Sequence, residues 1–123
     1  MSELGEILDK EQLLEASKLF APEFVEYRGG VFRRDAFKSE KVDDFFVGND
    51  LAAVEAVVNH VHIFDVVTDE GVQDEDPALW SAALRLADAW RALLAARFPQ
   101  REFEVTCQIG YGPEVTFSQV PRA

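Results

Sequence analysis

Phe103-Glu104-Val105-Thr106-Cys107-Gln108-Ile109 and, past Gly110-Tyr111-Gly112-Pro113, Glu114-Val115-Thr116-Phe117-Ser118 alternate apolar and polar residues with a period of two. That period belongs to half-buried strands. Loop length then fixes the register. A three-residue Gly110-Tyr111-Gly112 loop sets Cys107 opposite Val115 and Val105 opposite Phe117, with Thr106 opposite Thr116 on the other face, whereas a four-residue loop places Gln108 beside Val115. Gly112 supplies the left-handed residue that closes such a loop. Cys107 is thereby an inward-facing small hydrophobe.

Upstream, Asp76-Pro77 opens a helix: Asp76 caps it, Pro77 takes the first helical position, and Trp80, Ala83, Ala87, Trp90 and Leu94 form one face. Ser81, Arg85 and Asp88 fall on the other side, with Arg85 and Asp88 at ion-pair spacing. Pro99 ends the helix. A second helix is marked by Asp9 and Gln12, which form a capping box, with Leu8 and Leu13 as the flanking staple. It runs to about Phe20, because Pro22 disfavours helical geometry at Ala21.

Between them, Phe24 to Arg28 and Val31 to Arg34 flank Gly29-Gly30, a pair suited to the positive φ angles of a two-residue turn. The predicted hairpin pairs Tyr27 with Phe32, Val25 with Arg34 and Glu26 with Arg33. Residues 38–48 fit no period, although Val42, Phe45, Phe46 and Val47 need burial. Asn49 or Asp50 caps a third helix over residues 51–62, whose core stripe is Leu51, Val54, Val58 and Val61. The β-branched residues from Val57 onward make a strand over 60–67 the competing assignment. The whole is an α+β domain, two antiparallel hairpins with three main helices packed on one face in two layers, and 123 residues suit a single domain. Strand order, and whether the hairpins share one sheet, is left open.

Composition narrows the function classes. With 23 acidic against 12 basic residues the formal charge is −11, a field that repels nucleic acid and anionic lipid and favours a basic protein partner. Asp65, Asp69, Glu70, Asp74, Glu75 and Asp76 concentrate part of it. No apolar run reaches the roughly 18 residues of a membrane span, the first residues lack a secretory pattern, and one cysteine agrees with a reducing compartment, so a cytoplasmic location is expected.

Both histidines lie in Asn59-His60-Val61-His62. Residues two apart share a face in a strand and diverge by about 200° in a helix, so the helical assignment separates the pair. No third ligand stands at metal-site spacing, and neither metal nor cofactor is expected. Helical phase instead groups Glu55, Asn59 and His62, a carboxylate, an amide and an imidazole that could hold a polar ligand or transfer a proton. The competing explanation is that these groups satisfy hydrogen bonds at the edge of a buried helix. Arg34, placed by the hairpin register on the Tyr27 and Phe32 face, would need a partner there and could join that group.

Serine-nucleophile, P-loop and Rossmann patterns are missing. The leading expectation is therefore a non-enzymatic acidic interaction protein, adaptor-like or neutralising a basic partner. The alternative is a small ligand-binding domain or enzyme whose pocket contains Glu55, Asn59 and His62, with Arg34. A homo-oligomer subunit is the third.

Overall fold

The computed structural model describes residues 9–66, 76–110 and 112–121. Helix α1 (Lys10–Phe20) starts at the expected capping box: Asp9 accepts from Gln12 N at 2.8 Å and Asp9 N donates back to the Gln12 side chain at 3.0 Å. Leu8 and its part in a staple lie outside the described residues. Strands β1 (Phe24–Tyr27) and β2 (Gly30–Arg33) form a two-stranded sheet, followed by a 3-10 turn, α2 (Ser39–Phe46) and α3 (Leu51–Asn59). After β3 (Val61–His62) and the single turn α4 (Ile63–Val66) come α5 (Pro77–Arg97), β4 (Phe103–Gly110) and β5 (Gly112–Gln119). The second sheet has the order β3-β5-β4.

The fold is α+β, and the β4–β5 pairing sets Cys107 against Val115, Val105 against Phe117 and Thr106 against Thr116, as the alternation requires. Gly112 has φ 68°, the left-handed residue at the loop. Asp76 caps α5 through Ala78 N at 2.8 Å. Leu79, Ala83, Leu86, Ala87, Trp90 and Leu94 of α5 are buried against Val105, Val115 and Phe117. Asp88 pairs with Arg91 at 2.8 Å, not with Arg85. Trp90 donates its indole N–H to Leu19 O at 2.9 Å, tying the C-terminal turn of α1 to this core.

The first hairpin departs from its predicted register. Phe24 pairs with Arg33, Val25 with Phe32 and Glu26 with Val31, so the turn is Arg28-Gly29, with φ 51° and 83°, and not Gly29-Gly30. Both turn residues are left-handed, as a type I′ turn requires. Gly30 is a glycine for a different reason. A Cβ there would stand 2.7 Å from the Phe32 ring and 3.0 Å from Leu51 Cδ1. Arg28 tolerates its backbone because its guanidinium is held by Asp43 at 2.9 Å and lies over the Phe46 ring.

Moving the turn by one residue shifts the strand partners by two, so each side chain keeps its predicted face, and what differs is that both faces of β2 are covered. Phe24 and Val31 enter the main core, while Phe32 joins Val42 and Val54 in a second, smaller core completed by Tyr27, Phe37, Phe46 and Val58. All four residues of β2 are buried. Residues 38–48, which fit no period, hold a helix too short to show one: Val42 and Phe46 use its inner side, Phe45 is partly exposed and Val47 is 80% exposed.

Candidate functional site

Helix α3 begins at Asp50, whose carboxylate accepts from Ala53 N at 2.9 Å. It ends at Asn59, three residues short of the expected span. His60 is extended at φ −70° and ψ 147°, and Val61 and His62 then pair with Val115 and Glu114 of β5. The strand tendency of the β-branched residues thus prevails for two residues, because β5 offers an open ladder position there. The expected grouping of His62 with Glu55 and Asn59 is corrected accordingly.

Glu55 and Asn59 do come together, one helical turn apart, and both are fully buried. Their partners are main chain, apart from the Gln119 side-chain amide. Glu55 Oε2 accepts from Val31 N at 2.9 Å and from Gln119 Nε2 at 2.7 Å, and Oε1 accepts from Gln119 N at 2.8 Å. Asn59 Oδ1 accepts from Arg33 N at 2.9 Å, while Nδ2 donates to Val31 O at 3.0 Å and Phe117 O at 3.4 Å. Neither strand ladder joins β2 to β5. Two side chains of α3 do so instead, taking up edge groups that burial would otherwise leave costly. Beside them Thr116 donates to Ala56 O.

The buried arginine of the hairpin is Arg33, not Arg34. Arg33 Nε donates to Asn59 O at 3.2 Å and Nη2 to His60 O at 3.4 Å, placing a cation on the C-terminal carbonyls of α3, where the helix dipole favours it. Asp35 receives Nη1 at 3.0 Å, and the guanidinium carbon lies 5.5 Å from the Trp90 ring centre. Burial pulls the Arg33 pKa down and Asp35 opposes that shift. Arg34, expected on the apolar face, is instead exposed and pairs with Glu23 at 3.0 Å. Sequence reasoning missed Arg33 because it looked for burial on the Tyr27 and Phe32 face alone, whereas both faces of β2 are covered and Arg34 falls past the strand in the 3-10 turn.

His62 faces the side of the sheet away from Val61, with Nδ1 3.9 Å from Glu114 Oε2. The His60 and His62 rings meet edge to face at 5.0 Å, so the pair is adjacent after all, contrary to the helical expectation. His60 Nδ1 is engaged by Val57 O. Among the described residues no three His, Cys, Asp or Glu side chains converge on a metal position.

Among the described residues, two clefts are lined by residues other than Glu55, Asn59 and His62. One, of about 510 Å³, lies between α1 and the segment carrying Glu23, Arg34 and Asp35. The other, of about 410 Å³, is walled by Leu51, Ala52, Val120 and Pro121, with Asp50, Glu102, Arg101 and Gln119 around it. Arg101 is bound to Glu26 at 2.6 Å, which leaves Asp50 and Glu102 as the acidic groups of that cleft. Most of the acidic cluster from Asp65 to Asp76, and Tyr111, lie outside the described residues. Comparison with protein-family models, with curated proteins and with solved structures finds no match.

Proposed function

We propose that this chain is a non-enzymatic, cytoplasmic interaction protein that meets a basic protein partner through its acidic surface, in an adaptor-like or neutralising role. One observation carries the proposal: the ion pairs of the described residues take up six of the twelve cations one for one with six carboxylates, which leaves the acidic surplus intact. Lys18, Arg28, Arg33, Arg34, Arg91 and Arg101 are each paired with a carboxylate of the same chain. Among the described residues, no ion pair takes up the exposed Glu11, Asp44, Glu102 or Glu104. The charge of −11 is therefore displayed, and it steers basic surfaces inward while disfavouring nucleic acid. No helix among the described residues is long and apolar enough to cross a membrane.

The cleft beside Asp50 and Glu102 offers such a partner an apolar seat with negative groups around it. Glu55 and Asn59, by contrast, have their side-chain oxygens and amide committed to β2 and β5, and they support the frame of the molecule. The test is capture of partners on the immobilised protein at low and high salt, followed by reconstitution with the purified candidate. A basic protein should form a salt-sensitive complex that Asp44→Lys with Glu102→Lys weakens. If no such complex forms, or if the doubly substituted protein binds as well, the proposal fails.

A further inference from the structure

Strand β4 is an edge. The order β3-β5-β4 leaves one of its sides without a neighbouring strand among the described residues. Val120 N donates to Glu102 O at 2.9 Å, and continuing that ladder directs the N–H and C=O groups of Glu104, Thr106 and Gln108 toward β5. Those of Phe103, Val105, Cys107 and Ile109 therefore point away from it. One of them, Val105 O, accepts Arg91 Nη2 at 3.0 Å. The edge carries no proline and no lysine, two of the devices that commonly block strand addition, and its Ile109 is 80% exposed.

Antiparallel pairing of this edge with its own copy, about a two-fold axis at Thr106, is complementary at every position. Phe103 meets Ile109 of the second copy and Val105 meets Cys107 on the face that carries α5. On the opposite face Thr106 meets Thr106, and Glu104 meets Gln108, so no like charges are opposed. The helices agree with this arrangement. α5 packs equally on β4 and β5, and strands are about 4.8 Å apart, so the axis brings the two α5 helices to about 10 Å, near the spacing of packed helices. Arg91 reaches the edge beside the axis, which sets the Asp88–Arg91 pair of one copy against Arg91–Asp88 of the other and matches opposite charges. Leu84, partly exposed, lies two turns back on the same side of α5 as Arg91. Val105 O keeps a second lone pair for the new strand.

We propose that β4 is a self-association edge, and that a second copy of this chain adds to it to form a continuous six-stranded sheet β3-β5-β4-β4-β5-β3. This surface is separate from the acidic cleft. Its salt dependence is opposite, because screening relieves repulsion between two chains of charge −11 and so tightens the dimer, whereas it weakens a complex with a basic partner.

Sedimentation of the full chain should give twice 13.8 kDa, more so as salt is raised. Ile109→Lys, at a side chain that stands in solvent within one copy, should leave circular dichroism unchanged. It should also raise the dimer dissociation constant by about a hundredfold, since two isoleucines lose burial and two ammonium groups are taken out of water at the seam. Register is read by cross-linking in a Cys107→Ser background. Thr106→Cys should oxidise to a linked dimer, because its two copies face each other at a non-hydrogen-bonded position; Gln108→Cys, displaced from its own copy by about 13 Å, should not. A monomer at ~0.1 mM and high salt, a dimer indifferent to Ile109→Lys, or equal cross-linking at both positions would each overturn the proposal.

Discussion

Replacing Glu55 by Gln keeps the shape of the side chain and changes only what it can accept. The carboxylate receives three N–H groups, Val31 N and Gln119 Nε2 on Oε2 and Gln119 N on Oε1. A glutamine with its oxygen at the Oε2 position turns its NH2 toward Gln119 N–H; turned the other way, it confronts Val31 N–H. Rotating the Gln119 amide does not help, because its NH2 also donates to Gly29 O at 2.9 Å and neither rotation supplies an acceptor to Val31. At least one charge-assisted bond is lost, about 1.5–3 kcal/mol, and a buried N–H is left facing another donor, about 1–3 kcal/mol more. Easier burial of a neutral group offsets part of this. The net is a loss of about 2–4 kcal/mol, a large share of the stability of a domain this size. Urea titration would measure it, with Glu102→Gln on the surface as the control, expected within about 0.5 kcal/mol of the parent. Hydrogen exchange should localise the loss to the amides of Val31 and Gln119. If Glu55→Gln unfolds at the parent's midpoint with unchanged slope, the carboxylate does not hold β2 to β5 and the account of α3 given above is refuted.

Two other predictions address the first hairpin. Gly30→Ala should destabilise by about 1–3 kcal/mol in the same titration, because the added Cβ meets the fully buried Phe32 ring and overpacks the smaller core. Tyr27 donates to Asp43 at 2.8 Å, and that bond is the first cause raising the tyrosine pKa above 10.0 and lowering that of Asp43. The raised Tyr27 pKa contributes stability below the unfolded tyrosine value that is lost as pH rises through the folded one. The lowered Asp43 pKa contributes stability above the unfolded carboxyl value that is lost as pH falls through the folded one. In a Tyr111→Phe background, tyrosinate absorbance should show Tyr27 ionising above its ordinary pH, and Asp43→Asn should bring it back down.

Where period and burial act together, the sequence was sufficient. The β4–β5 alternation leaves one register that buries Val105, Cys107, Val115 and Phe117, and Asp76-Pro77 marks the start of α5 without competition. The first hairpin was harder, since Gly29-Gly30 reads as a turn pair while packing against Phe32 claims Gly30 and pushes the turn onto Arg28. No local signal separates those two uses of glycine. Helix α2 was illegible because eight residues with one fully buried side chain give no period to detect. At the end of α3, Asn59 and the valines before it read as helix, but the termination comes from β5, far away in sequence, which pairs with Val61. Glu55 and Asn59 were legible as a pair one turn apart, since helical phase is local. Their partners were not, because main-chain groups of two strands carry no mark in the sequence. Arg33 was hidden because nothing local shows that β2 is covered on both faces.

Because Glu55 and Asn59 grip β2 by its N–H and C=O groups, their grip is indifferent to the side chains at Val31 and Phe32, while Gly30 and Arg33 are fixed by the packing and bonds described above. Val31 could be exchanged for another residue that fills the main core, and Phe32 for one that fills the smaller core, without touching a bond that Glu55 or Asn59 makes to this strand. The middle of β2 is in that sense an interchangeable cassette clamped by a fixed jaw, and variation in this protein is more readily accommodated at Val31 and Phe32 than at the two α3 positions that hold the strand.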